Sequence, residues 1–352
     1  MRICFAINNL GAGGAERVLS SLANYFAEDG NFDVMAICFK RPYIYDHFYN
    51  FNYNIDLFLV ESRSHLEIKD ILIKTKPEVV ISFLNPMTYL MALATNEMGI
   101  PHITCERNNP YHSPIKEIRR QERDFAFALA KGCVFQTENA LSYFNNKISG
   151  KYQIIPNAII LDTEPRSNRD AINNKIITIG RYVKQKNYPF ILKAFAQLKQ
   201  RGIREYTLEC YGKDSGDLSL IRQVAVQLGI TDSVMFYEEH KDLHSRIKDA
   251  RFFVSGSEFE GMSNALSEAA ALGLPCICTD IPGNKELVEK YKFGILVPPN
   301  NIEALTDAME RLIRDKSLCE QLSNNGYKMY LSRGRDIIFP LWKHFIFQVI
   351  GN

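Results

Sequence analysis

Short apolar runs alternate along the chain with longer segments in which apolar residues recur at helical spacing. Residues 2–8 predict a buried strand, and residues 15–28 predict an amphipathic helix after a glycine-rich turn at 10–14. The same signals predict strands at 32–39, 79–83, 102–105 and 132–136 and a helix at 87–98. Because parallel strands need crossover connections, this alternation predicts a parallel sheet covered by helices on both faces.

A polar, irregular stretch at 157–174 interrupts this pattern and predicts a linker. Beyond it, the alternation restarts and predicts a second domain of the same kind. Its strands are predicted at 175–180, 206–211, 234–237, 252–255, 275–279 and 294–297, and its helices at 188–201, 218–228, 263–272, 285–290, 303–314 and 317–331. Two such α/β domains are expected to bind ligands in a cleft between the carboxyl-terminal edges of their sheets.

The composition is that of a globular protein, with 46% hydrophobic and 23% charged residues in a chain of 352. A net charge of +2 argues against a nucleic-acid partner, which would need concentrated basic residues. The eight cysteines include no C-x-x-C pair, and no apolar stretch reaches the length of a membrane span. We therefore expect reduced, buried thiols and a cytoplasmic protein whose contact with a membrane, if any, is peripheral.

Two glutamates eight residues apart give the most specific chemical signal. Glu260 lies in a predicted loop, and Glu268 lies inside the helix predicted from Ser263. The amides of Gly261 to Asn264 would then be unpaired at a helix N-terminus and would bind phosphate, while the carboxylates accept hydrogen bonds from sugar hydroxyls. The alternative is an ordinary helix capped by Ser263, with both carboxylates in solvent.

A basic turn at 180–186 follows the first predicted strand of the second domain. It carries Arg181 and Lys186 at the carboxyl end of the sheet. Two cations there would neutralise a diphosphate and help it to leave. The alternative is a solvated turn, since Lys184 and Lys186 are common kinds of surface residue.

The glycine-rich turn after the first strand resembles the dinucleotide fingerprint G-x-G-x-x-G, and Asp33 lies near the spacing expected for ribose binding. Glu16 stands at the position of the third glycine, however, and places a carboxylate where a pyrophosphate would approach. A nicotinamide-dependent dehydrogenase is therefore disfavoured. Gly13 and Gly14 are better explained as a turn that lets the backbone approach a ligand.

Together, the three stretches resemble the family 4 retaining glycosyltransferases of the GT-B fold. The resemblance lies in Gly13-Gly-Ala-Glu-Arg17, in Gly180 to Lys186 (G-R-x-x-x-x-K) and in Glu260 to Glu268 (E-x7-E). Weaker matches at 155–157, 272–275, 279–286 and 293–298 extend it over nearly the whole chain. The resemblance implies a GT-B enzyme with two Rossmann-like domains that face each other across a cleft.

The resemblance also implies the domain boundaries and the substrates. Residues 1–165, with a last helix at 335–352, would form the acceptor domain, and residues 166–334 would bind a nucleotide-sugar donor. The enzyme would move a hexose or N-acetylhexosamine from a UDP-sugar, with retention of configuration, to a lipid-linked glycan acceptor in bacterial surface polysaccharide synthesis. The chain contains no D-x-D motif, so no metal and no other cofactor is expected.

Residue roles follow from the matched motifs. Arg181 and Lys186 would hold the donor diphosphate, Glu260 would contact the transferred sugar, and Glu268 would bind the ribose hydroxyls. Further donor contacts would come from residues in the three motifs: Gly13, Gly14, Gly180, Gly261, Met262, Ser263 and Asn264.

Three polar residues follow the strand predicted at 102–105. Glu106, Arg107 and Asn108 are candidates for contact with the acceptor or its sugar, and Glu106 could polarise an acceptor hydroxyl. Relatives often carry a histidine in this segment, and this chain has none at Glu106. A purely structural role is the alternative.

Residues 115–131 form an amphipathic basic segment, which suits either a membrane surface or a solvated helix face.

Besides a glycosyltransferase, two other functions of the whole chain stay open. One is a UDP-sugar 2-epimerase of the same fold, and the other is a non-catalytic sugar-nucleotide-binding protein.

Overall fold

The computed structural model describes residues 1–11, 13–40, 49–165 and 172–351. Contacts within the chain separate two compact units, one formed by Met1–Ala158 with Arg335–Asn352 and one formed by Ile159–Gly334. We call them the N-terminal unit and the C-terminal unit. Each is built on one parallel sheet, as the alternation of apolar runs and helical segments predicted.

The N-terminal unit contains a seven-stranded sheet in the order β3-β2-β1-β4-β5-β6-β7. Its strands are β1 (Arg2–Ile7), β2 (Asp33–Phe39), β3 (Asp56–Val60), β4 (Val79–Phe83), β5 (His102–Cys105), β6 (Gly132–Phe135) and β7 (Lys151–Ile154). Its first five helices are α1 (Gly14–Glu28), α2 (His65–Thr75), α3 (Met87–Met98), α4 (Glu117–Leu129) and α5 (Glu138–Phe144). The central strands are buried throughout, because helices cover both of their faces.

The C-terminal unit contains a six-stranded sheet in the order β10-β9-β8-β11-β12-β13. Its strands are β8 (Lys175–Ile179), β9 (Thr207–Tyr211), β10 (Val234–Tyr237), β11 (Phe252–Ser255), β12 (Cys276–Thr279) and β13 (Gly294–Val297). Its helices are α6 (Tyr188–Gln200), α7 (Leu218–Gln227), α8 (Leu243–Ile247), α9 (Asn264–Ala271), α10 (Pro282–Tyr291), α11 (Ile302–Arg314) and α12 (Lys316–Arg333). Two apolar clusters, one on each face of the sheet, form its core.

The last helix, α13 (Arg335–Ile350), belongs to the N-terminal unit. Phe339, Trp342 and Phe345 are buried on its inner face. The helix packs closely against β6 at Gly132. A Cβ atom added to this glycine would lie only 2.7 Å from the Val349 side chain. The C-terminal segment of the chain therefore completes the core of the first unit.

Two strands that the sequence did not predict, β3 and β7, are the edges of the N-terminal sheet. In these two strands only Val60 is buried. Edge strands face solvent along one side, so they lack the continuous apolar run that identifies central strands. Three helices, α2, α5 and α8, were also not predicted.

The C-terminal unit begins at Ile159, whereas the sequence led us to place the boundary after residue 165. The backbone N–H of Ile159 donates to the carbonyl of Arg333 at 2.8 Å, and Ile159 forms an isolated bridge with Gly334. These contacts attach the chain to the second unit seven residues earlier. The linker predicted at 157–174 lies partly outside the described residues, at 166–171.

The cysteines agree with the prediction from their spacing. All eight are buried and none forms a disulfide. Burial in apolar surroundings raises the pKa of the Cys105 thiol to about 12 and that of Cys38 to about 11, so these side chains are uncharged packing groups.

Candidate functional site

The predicted donor residues that belong to the C-terminal unit follow neighbouring strands at one edge of the C-terminal sheet. Its strand order reverses between β8 and β11, which are direct neighbours. The chains leaving these two strands turn to opposite sides, which opens a crevice at their carboxyl ends, and ligands bind at such points in open α/β sheets. The basic turn 180–186 follows β8, and the loop 256–263 follows β11 and leads into α9.

Hydrogen bonds connect the basic turn to this loop. The backbone N–H of Glu258 donates to the carbonyl of Gln185 at 2.9 Å, and Gln185 Nε2 donates to the carbonyl of Phe259 at 2.7 Å. Lys186 Nζ then forms an ion pair with Glu260 Oε1 at 2.5 Å. Two of the predicted residues, 74 positions apart in the chain, are therefore in direct contact.

The Lys186–Glu260 pair is largely removed from solvent. The side chains are 18% and 11% exposed, so the alternative of two freely solvated residues is wrong for both. Gly180 explains how the lysine stem reaches the pair, because a Cβ at this position would lie 2.9 Å from Lys186 Cε. The glycine of G-R-x-x-x-x-K thus provides space for the lysine of the same motif.

Arg181 occupies the same sheet edge but is not part of this pair. Its side chain is exposed. Within the described ranges, its guanidinium has no hydrogen bond and no salt bridge to another residue. It is a cation next to the switch point whose donors face water.

The loop before α9 presents backbone donors. Ser263 caps the helix and its side chain accepts from the N–H of Leu266 at 3.3 Å, as the alternative of an ordinary capped helix proposed. The N–H groups of Gly261, Met262 and Ser263 donate to no group in the described part of the chain. A Cβ on Gly283 would lie 2.2 Å from the Gly261 carbonyl oxygen, so close packing against α10 holds this loop in place.

Glu268 is buried, 8% exposed, and its Oε2 lies 3.0 Å from Nε2 of His244 on α8. The alternative of an exposed helical glutamate is therefore wrong. His244 was not singled out from the sequence, since a lone histidine carries no spacing signal and α8 was not predicted.

The glycines of the first motif lie in the N-terminal unit, at the start of α1. Gly13 is the N-cap residue and Gly14 is the first helical residue. A Cβ on Gly13 would lie within 1.9 Å of Glu16 Oε2, so this carboxylate folds back over the helix N-terminus. That position agrees with the exclusion of a dinucleotide pyrophosphate there. Ala12 of the same turn lies outside the described residues.

Glu106 is buried at the end of β5, with 5% of its surface exposed. Its Oε1 accepts hydrogen bonds from the N–H groups of Arg107 at 3.0 Å and Asn108 at 2.9 Å. Its Oε2 lies 3.7 Å from Arg123 Nη1 and has no hydrogen-bond partner among the described residues. Burial raises the pKa of this carboxyl to about 7, because the loss of solvation outweighs the attraction of Arg123.

Beside Glu106 is a recess in which about 290 Å³ is not filled by protein atoms, a volume that includes open solvent. Asn85 also lines this recess, and its buried Oδ1 has no hydrogen-bond partner in the described ranges. The recess is lined by the β4–α3 and β5–α4 connections, including Asn108 and Ser113, and by Arg123 of α4. Acceptors without partners in such a place are ready to receive hydroxyl or amine donors.

Arg107 points away from this recess and into the core. Its guanidinium lies 4.1 Å from the Phe83 ring centroid and 5.2 Å from that of Trp342, and Nη1 donates to Asn157 Oδ1 at 3.0 Å. These contacts attach α13 to the sheet. We therefore do not include Arg107 in the proposed acceptor site.

Helix α4 occupies most of the predicted amphipathic segment 115–131. Ile115, just before this helix, is 85% exposed, and Ile118, within it, is 59% exposed; both lie beside Lys116, Arg119 and Arg120.

Among the described residues, no helix combines the length and apolarity needed to cross a bilayer. The same residues contain no group of three His, Cys, Asp or Glu side chains placed to hold a metal ion.

The chain is similar to known glycosyltransferases in sequence. Residues 162–329 match the model of the family described as glycosyl transferases group 1. An uncharacterized glycosyltransferase of Haemophilus influenzae is 26% identical over 97% of this chain and 99% of its own length. The N-acetylgalactosamine-N,N'-diacetylbacillosaminyl-diphospho-undecaprenol 4-alpha-N-acetylgalactosaminyltransferase of Campylobacter jejuni is 25% identical over 91% of this chain and 92% of its own.

A solved structure gives the fold. Anabaena Alr3699/HepE, in complex with UDP and glucose, superposes with a TM-score of 0.82 at 16% identity, covering 98% of this chain and 99% of that one. This similarity shows the GT-B fold that the resemblance implied.

The raised pKa of Glu106 predicts a pH-dependent stability. The ordinary pKa of a glutamate is 4.5, and that of Glu106 in the folded protein is about 7. Between these two pH values the folded protein binds the Glu106 proton more tightly than the unfolded chain does. The contribution of Glu106 to the free energy of unfolding therefore falls as pH rises through this range. The melting temperature of Glu106→Gln minus that of wild type should therefore increase by about 3 °C or more from pH 5 to pH 8. For the control Glu117→Gln, which changes an exposed glutamate, the difference in melting temperature from wild type should be the same at every pH. A difference that is likewise independent of pH for Glu106→Gln would contradict the prediction.

Proposed function

Since this chain is a glycosyltransferase of the GT-B fold and carries a group 1 glycosyltransferase domain at residues 162–329, we propose that it uses a UDP-sugar as donor. The transferred group is a hexose or N-acetylhexosamine, and the acceptor is a hydroxyl of a lipid-linked glycan. The products are the extended glycan and UDP. The pathway is bacterial surface polysaccharide synthesis.

One observation carries this proposal: the Lys186–Glu260 ion pair stands at the switch point beside open backbone donors. A diphosphate carries two or more negative charges and needs cations and N–H donors that are already in place. Lys186, Arg181 and the amides of Gly261 to Ser263 supply them within one unit. The UDP complex of the Anabaena structure supports the choice of nucleotide.

Each of these residues contacts a different part of the donor. Glu260 holds Lys186 against the site and, through its remaining oxygen, accepts from hydroxyls of the transferred sugar. Arg181, exposed in the structure, closes onto the outer phosphate oxygens. Glu268 accepts from the ribose hydroxyls, and Gly13 and Gly14 stay proposed contacts of the donor from the N-terminal unit.

In the transfer step, the bond between the sugar C1 and the phosphate oxygen breaks, and a new bond forms between C1 and the acceptor oxygen. The electron pair of the broken bond stays on the diphosphate, where the cations and amides stabilise it. The acceptor proton passes to a phosphate oxygen on the same face, which retains the configuration at C1. No metal ion is required, because the protein's own cations neutralise the leaving group.

The acceptor hydroxyl binds at the recess beside Glu106 in the N-terminal unit. Asn85 Oδ1 has no hydrogen-bond partner in the described residues, and Glu106 Oε2 has only the ionic contact with Arg123 at 3.7 Å, so both oxygens can accept from a hydroxyl. Asn108 also lines this recess. In its ionised form, Glu106 accepts a hydrogen bond from the acceptor hydroxyl and polarises its oxygen, while the hydroxyl proton passes to the phosphate.

The acceptor's lipid carrier places the enzyme at the cytoplasmic face of a membrane. The name of the Campylobacter relative describes an acceptor built on diphospho-undecaprenol. In this chain, the exposed Ile115 and Ile118 stand among basic residues at the start of α4. Apolar side chains framed by cations bind the interface of anionic membranes.

Removing either member of the ion pair should abolish transfer. Lys186→Ala and Glu260→Gln should lower kcat/KM by about 100-fold or more, because each leaves the other charge without its partner and weakens the hold on the diphosphate. The measurement is UDP release from UDP-sugars in the presence of a lipid-linked acceptor. The exposed neighbours Lys184→Ala and Glu258→Gln are matched controls and should stay near wild type. Wild-type rates in Lys186→Ala would contradict the assignment.

The double variant Ile115→Ser/Ile118→Ser should bind membranes more weakly. Losing two inserted isoleucines should lower the partition coefficient about 10-fold or more on vesicles that mix anionic and zwitterionic phospholipids. Co-sedimentation measures the effect. Leu220→Ser/Val226→Ser, which removes two exposed apolar residues from α7, is the control and should change nothing. Equal binding by both double variants and wild type would refute the proposed contact.

A further inference from the structure

A buried histidine holds the second glutamate of the E-x7-E motif. His244 is 2% exposed and Glu268 is 8% exposed, and His244 Nε2 lies 3.0 Å from Glu268 Oε2. The two residues come from different helices, α8 and α9. A carboxylate buried to this extent needs a strong donor to compensate for the water it has lost.

His244 is itself fixed from the other side of its ring. The backbone N–H of Asp162 donates to Nδ1 at 3.1 Å, and the backbone N–H of His244 donates to Asp162 Oδ2 at 3.3 Å. These two bonds join α8 to the segment that enters the C-terminal unit. The imidazole therefore has a defined position before any ligand binds.

The direction of the hydrogen bond to Glu268 follows from these contacts. With Asp162 N–H donating to Nδ1, the proton of the neutral ring is on Nε2 and points at Glu268. If the ring gains a second proton, Nδ1 donates to Asp162 Oδ2, which lies 3.3 Å away. Nε2 still donates to Glu268 in that state. In either state the bond fixes Oε2, and with it the plane of the carboxylate and the direction of Oε1.

We infer that His244 is a positioning residue that aims Glu268 at the ribose of the donor and thereby makes the enzyme select ribonucleotides over 2′-deoxyribonucleotides. The inference rests on the proposed function, in which Glu268 accepts from the ribose hydroxyls. A correctly aimed carboxylate loses its partner when the 2′-hydroxyl is absent, whereas a carboxylate that lacks the bond to His244 is less precisely placed and gains less from that hydroxyl.

Two substitutions separate the two contacts of the ring. His244→Asn places an amide near the Nδ1 position and keeps a partner for Asp162, but it is too short to reach Glu268. His244→Gln extends an N–H donor to the Nε2 position and restores the bond to Glu268. Both side chains are polar, so either can be accommodated next to the buried carboxylate. Arg246→Ala, on the same short helix but in an exposed pair with Asp242, is the matched control.

The experiment compares the binding of UDP and 2′-deoxy-UDP to each variant by titration calorimetry, with Glu268→Gln as the reference. Wild type and Arg246→Ala should bind UDP about 10- to 100-fold more tightly than 2′-deoxy-UDP. In His244→Asn this preference should fall to about 3-fold or less, as in Glu268→Gln. His244→Gln should restore most of it.

The possible failures are distinguishable. If His244→Asn weakens both nucleotides equally and keeps the preference, the histidine is only structural and the inference is overturned, while the role of Glu268 survives. If Glu268→Gln also keeps the preference, the proposed ribose contact itself is wrong, and the inference falls with it. If wild type binds neither nucleotide, the proposed donor is wrong.

Discussion

The site depends on a lysine and a glutamate that share a place largely hidden from water. Lys186 and Glu260 follow neighbouring strands, β8 and β11, at the point where the sheet order reverses. Neither charge would be stable there alone, since each has lost most of its solvation. The surrounding structure brings them together: Gly180 gives room to the lysine stem, and Gln185 joins the turn to the loop. In the proposed function, Lys186 binds the donor diphosphate from this position.

Both units use a carboxylate with one oxygen restrained by the protein. In Glu106, two backbone N–H groups bind Oε1, while Oε2 is buried without a hydrogen-bond partner among the described residues. In Glu268, the imidazole of His244 binds Oε2. Restraining one carboxylate oxygen fixes the direction of the other. Both carboxylates are buried, and burying a charged group costs solvation energy. For Glu106 that cost appears as a pKa raised to about 7. In the proposed function, the restrained carboxylate of Glu106 accepts from the acceptor hydroxyl and that of Glu268 accepts from the ribose.

The sequence predicted most of the fold, because central parallel strands and their helices leave strong apolar patterns. It also predicted that Lys186, Glu260 and the start of the helix near Ser263 lie at one sheet edge, since motif residues that follow neighbouring strands meet there. It missed β3 and β7, whose edge positions remove the apolar run. It missed His244 and Asp162, whose partnership depends on a tertiary contact across 82 positions. For Arg107, no local pattern indicates that the guanidinium turns inward between Phe83 and Trp342.

A crystal structure of the protein with UDP tests the central claim most directly. The account predicts density for the diphosphate at the carboxyl end of β8 and β11. Its oxygens should lie within hydrogen-bond distance of Lys186 Nζ and of the amides of Gly261 to Ser263, with Arg181 closed over them. A well-ordered UDP whose diphosphate lies away from Lys186 and the start of α9 would contradict it.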